Sequence, residues 1–474
     1  MSIIYTATSH PLPRTVGTKM TTPPRRSPPL RGRGHAGLRA LAPMVNIHER
    51  SPVPACVPAH PDPSSSISPD DWRRLEGATF SVMCKIHPTV SSQHLRARVI
   101  DYVQRLFRLH HDGYQVISFG SVPLKTYLPD GDIDLTLLCA AISDENLENE
   151  VCAILKSEEQ RKDSEFEVKD VKYVPAEVKL VKCKVQNIAV DISVNQIGGP
   201  NKVYFLEKVD QNLGKNNLLR RSIMLIKHWC YYESCILGAQ RGLVSTYALE
   251  TLVLYIFHVF HKSLDGPLAV LYRFLDYYSK FDWDNKGISL FGPISLSSLP
   301  ELVTEPPYTR DDGFLSREAF LKDCAKAFSV PPINSEENPQ VFSKKFVNIV
   351  DPLKQSNNLG RSISKGNLGR IRKEFYFGAC KLGKILQAPA CFSANEINRF
   401  FRNTLSRADV PVSSPDDVLQ AASVSASPGN KGVEGVSKGS SPNNSCDVLC
   451  NQFGYIKISD SNNALQNLVV DRPA

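Results

Sequence analysis

The chain has no CxxC pair, although 12 of its 474 residues are cysteine. Structural zinc sites and redox motifs are built on such pairs, and thiols scattered this widely fit neither them nor a disulfide scaffold. Cys446 and Cys450 lie close together, but in a Ser/Asn-rich stretch with no histidine beside them. A reducing compartment is expected. Long apolar runs are missing too. The most apolar window, YALETLVLYIFHVF (247–260), is shorter than a bilayer crossing and carries Glu250, so no membrane partner is expected. No internal repeat is visible, which excludes a solenoid. Neither an RNP-like aromatic sheet pattern nor a zinc finger is present, so no dedicated RNA-binding module is expected.

What is present suits a globular protein of two or three domains, with 42% apolar residues and a formal net charge of +8. The positive balance permits an anionic partner without naming one. Residues 1–48 hold seven Arg or Lys and no acid, and thirteen of the 33 prolines fall within residues 1–69. Such a segment cannot bury enough to fold, and residues 1–66 are expected to form a disordered arm. Its proline density argues against an amphipathic import peptide, so cytoplasm or nucleus ranks ahead of an organelle. Residues 406–474, rich in Ser, Asn, Gly and Asp, are expected to be a second disordered tail.

Between these ends the expected fold is a small α/β domain (67–200) followed by a mostly helical one (201–405). Ser68-Pro69-Asp70-Asp71 is a helix start, with a capping hydroxyl, proline in the first turn and acids near the dipole's positive end. Leu95, Val99, Val103, Leu106 and Phe107 mark a helix over 92–110. YQVISFG, DIDLTLL, VKLVKCK and NIAVDISVN read as strands, joined in part by a charged connection. From about Lys215 the pattern turns helical, with a second long helix over 245–261.

The stretch FGSVPLKTYLPDGDIDLTLL (119–138) carries the chemistry. Side chains alternate along a strand, so Ile133, Leu135 and Leu137 share one face while Asp132, Asp134 and Thr136 share the other. In NIAVDISVN the same rule sets Asp191 apart from the apolar Ile188, Val190, Ile192 and Val194. Two carboxylates ~4 Å apart repel by about 4 kcal/mol at an effective dielectric near 20. A hard divalent cation offsets that cost, and a third carboxylate makes room for two. Gly120 permits close backbone approach, and Ser121 offers a hydroxyl and amides to a phosphate at a following helix start. Taken singly, each piece is also the pattern of a solvated strand edge or an ordinary turn.

Order and spacing go further. Gly-Ser, ten residues, then DIDL resembles the signature of the polymerase-β-like nucleotidyltransferase superfamily, and IAVDIS resembles its third-carboxylate strand. RSIMLIKHWCYYES, GLVSTYALETLVLYIFH, FDW (281–283) and NIVDPLKQSNNLGRS extend the resemblance to the noncanonical poly(A) polymerases and terminal uridylyltransferases, over about residues 69–405. The resemblance implies an α/β nucleotidyltransferase domain with a small mixed sheet, joined to a helical PAP/OAS1-like substrate-binding domain. It implies Asp132, Asp134 and Asp191 as catalytic Mg2+ (or Mn2+) ligands, with Asp191 the base for an incoming 3′-hydroxyl. Gly120, Ser121 and Lys227 would hold the triphosphate, Thr246 would supply a hydroxyl, and Tyr247 would stack on the base. Asp351 and Asn357 would face the base edge.

Two departures bear on function. Tyr231 stands where many relatives place a second phosphate lysine, so that charge would have to come from elsewhere, such as Arg220 or the VKLVKCK run. Asn357 stands where uridine-selective relatives have histidine, which tilts the reading to ATP. The expected activity is therefore AMP addition from ATP to RNA 3′ ends. Uridylyl transfer from UTP, a weakly active or inactive RNA-associated scaffold, and a second-messenger synthase remain as alternatives. Lys179, Lys182, Arg361, Lys365, Arg370, Arg372 and Lys373 are the candidate RNA contacts, with a partner protein as the other way of bringing RNA.

Overall fold

The computed structural model describes residues 67–139, 142–175, 178–304, 341–388 and 390–408. The expected disordered arm and all of the expected tail past residue 408 lie outside them. Helix α1 (Pro69–Ile86) starts as its sequence requires, with Ser68 Oγ accepting the Asp71 amide at 3.1 Å. Its apolar face, Leu75, Val82, Met83 and Ile86, packs into the core of the helical region rather than onto the sheet.

The sheet begins after α2 (Val90–Arg108). Its strands are β1 (Gln115–Phe119), β2 (Ile133–Leu138), β3 (Val168–Val174), β4 (Leu180–Val185) and β5 (Ile188–Val194), with α3 (Asp144–Glu159) between β2 and β3. The order is β1-β2-β5-β4-β3, and β2–β5 is the parallel pair in an otherwise antiparallel sheet. Ile133, Leu135 and Leu137 of β2 and Val190, Ile192 and Val194 of β5 point to one face, where α2 and α3 cover them with Val99, Val103, Phe107, Leu147, Val151 and Leu155. Burying each such side chain is worth about 2 kcal/mol. Period-2 alternation then leaves Asp134 and Asp191 on the other face.

Two elements differ from expectation. The charged connection before β4 contains β3, whose VKDVKYV is mostly exposed and carries a bulge between Lys169 and Lys172, with Asp170 left-handed at φ 57°. An edge strand of this kind shows no apolar alternation. Helicity also resumes before Lys215, in α4 (Gly198–Leu213), whose Gly-Gly-Pro opening hides the start.

The helical region continues with α5 (Leu218–His228), a π-type turn over Trp229–Glu233, α6 (Thr246–Phe260), α7 (Pro267–Lys280), the hairpin β6 (Lys286–Ser289) and β7 (Gly292–Ser295), α8 (Lys365–Leu386), α9 (Ala390–Phe400) and α10 (Arg402–Ala408). Residues 406–408 are thus helical, not tail. Tyr255, Phe257, Phe274, Tyr278, Phe375 and Phe401 are all buried in this core. Trp283 of the FDW motif is a core residue too: its Nε1 donates to the Tyr278 carbonyl at 3.1 Å, and the two rings lie 5.7 Å apart. No helix among the described residues is long and apolar enough to cross a membrane.

Candidate active site

The parallel register of β2 and β5 pairs Asp134 with Asp191, so the two carboxylates stand side by side. Asp132, just before β2, completes a group whose ligand oxygens all lie within 4.8 Å of one another. The loop that delivers Asp132 is clamped from α2. Buried Arg96 donates to the Gly131 carbonyl at 2.9 Å and the Pro129 carbonyl at 3.3 Å, and its guanidinium lies 4.2 Å from the Tyr127 ring centroid. Burial, then the charges of Asp132 and Asp191, push the Asp134 carboxyl up to about 7, against the pull of Lys227 and Lys182. Burial also raises Asp191, opposed by its hydrogen bond and charge pairing with Lys182.

Lys182 therefore matters in a way its place among RNA contacts did not suggest. It sits across from Asp191 on β4 and is ion-paired with it. A hard-oxygen trio that draws an ammonium to one member and raises the proton affinity of another fits a divalent cation. The three aspartates would hold that ion.

Gly120 closes β1 with φ 72°, and a Cβ there would overlap Asp134 Oδ2, so only glycine lets the turn approach the carboxylate. Phe119 is the Cα partner of Asp134 across β1–β2. Ser121 is buried, and its carbonyl accepts the Thr126 amide at 2.9 Å. The segment after it is a run of turns rather than the expected helix start, with Pro123 and Pro129 interrupting any regular ladder. Lys227 on α5 is buried, with Asp132, Asp134 and Asp130 among the charges acting on it. Of the expected phosphate ligands, Gly120 and Lys227 thus lie beside the carboxylates.

A second group forms at the N-terminus of α6. Ser245 caps that helix by accepting the Ala248 amide at 3.3 Å, and Thr246 follows as its first residue, half-buried. Tyr247 donates through its hydroxyl to Asp351 Oδ1 at 3.3 Å. Asn357 Nδ2 donates to Asp351 Oδ2 at 2.8 Å, the Asp351 amide donates to the Asn357 carbonyl at 3.1 Å, and Arg361 donates to Asn357 Oδ1. The structure thus brings together Tyr247, Asp351 and Asn357. Arg220, considered as a spare phosphate ligand, is instead buried against Asp210, its Nε 2.7 Å from Oδ2, with Glu207 4.0 Å away. Of the candidate RNA contacts, Lys179 is paired with Glu148 at 3.2 Å, Arg372 with Asp284 at 3.0 Å, and Arg370 donates to the Ser234 carbonyl at 3.2 Å. Lys365 and Lys373 are exposed on α8.

Sequence reasoning missed Arg96 and the pairing role of Lys182. Only the latter had a readable signal. Gln186 and Asn187, both left-handed at φ 48° and 63°, form a two-residue hairpin turn between β4 and β5. Lys182 and Asp191 are equidistant from it.

Comparison with known families places these parts. Residues 75–207 match the family model of the central palm domain of mitochondrial-like poly(A) RNA polymerases, and residues 213–405 that of the PAP/OAS1 substrate-binding domain. The chain belongs to the noncanonical poly(A) polymerase and terminal uridylyltransferase group. Its fold is that group's nucleotidyltransferase fold. Similar solved structures include Cid1, described for its RNA terminal uridylyl transferase activity, at 16% identity and TM-score 0.47 over 66% of this chain and 94% of that one. A cytoplasmic RNA terminal U-transferase is similar at 17% identity and TM-score 0.49, over 66% and 94%. Cid1 in complex with the UTP analog UMPNPP is similar at 16% identity and TM-score 0.47, over 69% and 98%. No curated protein sequence matches the chain directly.

Proposed function

We propose that this nucleotidyltransferase adds AMP from ATP to RNA 3′ ends without a template. The observation that carries the reading is the pairing of Asp134 with Asp191, with Asp132 in reach, on the face of the sheet opposite its core. A divalent cation bound there, Mg2+ or Mn2+, would polarise the α-phosphate and offset the charge of transfer. The 3′-hydroxyl oxygen bonds to the α-phosphorus, the bond from phosphorus to the bridging oxygen breaks, and pyrophosphate leaves. Asp191 takes the hydroxyl proton. Lys227 offsets charge on the departing phosphates, and the bare backbone of Gly120 admits them close to the strand end.

Tyr247 supplies an aromatic face that holds any base without choosing one. Choice falls to Asp351 and Asn357. A carboxylate offers more acceptor sites than Tyr247, Asn357 and the Leu353 amide use, and adenine presents an exocyclic amine to fill one. Asn357 in place of the histidine of uridine-selective relatives supports the same choice. RNA would reach the site over the basic surface of α8, at Lys365 and Lys373, or be brought by a partner.

The test is incubation of purified protein with labelled RNA and each of the four nucleoside triphosphates in turn. ATP is expected to give extension, and Asp132→Ala/Asp134→Ala is expected to lower it by about a thousandfold or more. Preferential extension with UTP would replace adenylyl by uridylyl transfer. Product without RNA would point to a second-messenger synthase, and equal incorporation by the double variant would remove catalysis from these residues.

A further inference from the structure

The bulge in β3 has no part in the reaction as described. Across β3–β4, Lys169 is the partner of Lys184 and Lys172 the partner of Lys182, and the register shifts between the two pairs. Partners directly opposite in an antiparallel ladder share a face of the sheet. Lys169 and Lys172 would point to opposite faces of a regular strand, and the bulge, with Asp170 left-handed at φ 57°, turns both to one. That face is the one with the carboxylates, because Lys182 is in turn the partner of Asp191 on β5, and Asp191 the partner of Asp134 on β2. One row therefore crosses the sheet as Asp134, Asp191, Lys182 and Lys172. With neighbouring strands about 5 Å apart, the backbone of Lys172 stands about 10 Å from that of Asp191. We propose that Lys172 and Lys182, with Lys184 and Lys169 in the row beside them, bind the phosphates of the acceptor RNA next to its 3′ end. This deepens the nucleotide-transfer reading and rests on it.

Like charges directly opposite in a ladder are destabilising, so a bulge that creates two such pairs works against the sheet unless an anion answers them. The partners these lysines now have are weak competitors. Lys184 pairs with Asp170 and Lys169 with Glu167, each at 2.7 Å, and all four side chains are about half exposed, where an ion pair contributes about 1 kcal/mol or less. Lys172 is exposed and is joined to no acid among the described residues. Lys182 is held by Asp191, and a divalent cation on Asp191 would free it. Lys179, from the same sequence run, pairs with Glu148 of α3 and lies outside the row. Direction follows from charge. With the 3′-hydroxyl at Asp191, the carboxylates repel the acceptor's own phosphodiesters, and beyond Asp134 the row ends at the uncharged Phe119 of β1. The lysine side is the one that attracts them.

Binding is measured without nucleoside triphosphate, by fluorescence anisotropy of a labelled oligoadenylate of about 15 nucleotides titrated with the full chain at several salt concentrations. Lys172→Gln/Lys184→Gln is expected to weaken binding about tenfold and to make the log–log salt dependence shallower by about 1.4, the share of two phosphate contacts on a single strand. Lys156→Gln/Lys162→Gln removes the same charge from α3 and the turn after it, and should bind as the wild type does. Lys172→Arg/Lys184→Arg should keep wild-type binding. In extension assays Lys172→Gln/Lys184→Gln should raise KM for the RNA about tenfold and leave KM for ATP within about twofold. Melting curves check folding, and Lys172→Gln alone, expected to weaken binding about threefold, carries the test if the double variant does not fold. Equal weakening by the two glutamine pairs, or displacement of the RNA by polyglutamate as readily as by unlabelled RNA, would overturn the proposal, since charge alone would then explain binding. A wild-type protein that bound RNA and transferred no nucleotide would defeat the enzymatic reading instead, with the binding contrast still deciding for or against the row.

Discussion

Asp134 in the sheet and Asp210 in the helical region are both acids withdrawn from water, and their surroundings are opposite. Asp210 has Arg220 Nε at 2.7 Å and accepts the Leu219 amide at 3.1 Å, so its charge is answered on two sides. Asp134 has no hydrogen-bond donor among the described residues and faces two further carboxylates. Evolution of a stable core alone would not keep the second arrangement, because like charges brought together cost free energy that Lys227 and Lys182 return only in part, leaving the Asp134 carboxyl raised. The contrast separates a structural acid from one held for a ligand, and it does so without reference to any relative.

The sharpest way to break this contrast is to measure stability rather than activity. Asp210→Ala leaves the buried Arg220 cation with only the more distant Glu207, 4.0 Å away, as counter-charge, and is expected to cost about 3–5 kcal/mol by chemical denaturation. Asp134→Ala should cost nothing or raise stability, since it removes a repelling charge. If the two substitutions destabilised the protein equally, the distinction would be lost.

A smaller effect follows from the raised Asp134 carboxyl. Its folded value of about 7 exceeds that of an ordinary aspartate, so between about pH 4 and pH 7 the folded state binds more protons than the unfolded one. This group's contribution to the metal-free protein therefore falls as pH rises through that window and levels off above it. Cation binding must expel the proton. The rise in melting temperature on adding Mn2+ should be larger at pH 8 than at pH 6, and a rise independent of pH would mean that Asp134 is not a ligand.

The two regions also differ in how far sequence reached them. In the sheet, β2 and β5 alternate so cleanly that the faces of Asp134 and Asp191 follow from residue parity. Parity says nothing of which strands are neighbours, however. The meeting of the two aspartates depends on a parallel pairing across α3, β3 and β4, and β3 itself was invisible because an exposed, bulged edge strand has no apolar period. Around α6 the local signals, a serine cap and an apolar run, located the helix. They could not bring Asp351 to Tyr247, 104 residues away, and only the family resemblance linked them. Arg220 shows the reverse error, in which a basic residue near a phosphate helix is taken for a ligand although a buried aspartate already claims it.

The central claim is that the three acids share divalent cations, and anomalous scattering from crystals grown with Mn2+ and a non-hydrolysable ATP analogue addresses it directly. The account predicts a peak bounded by Asp132, Asp134 and Asp191, with the Lys182 ammonium displaced from Asp191. Well-ordered carboxylates without a peak, and Lys182 still paired to Asp191 beside bound nucleotide, would contradict it.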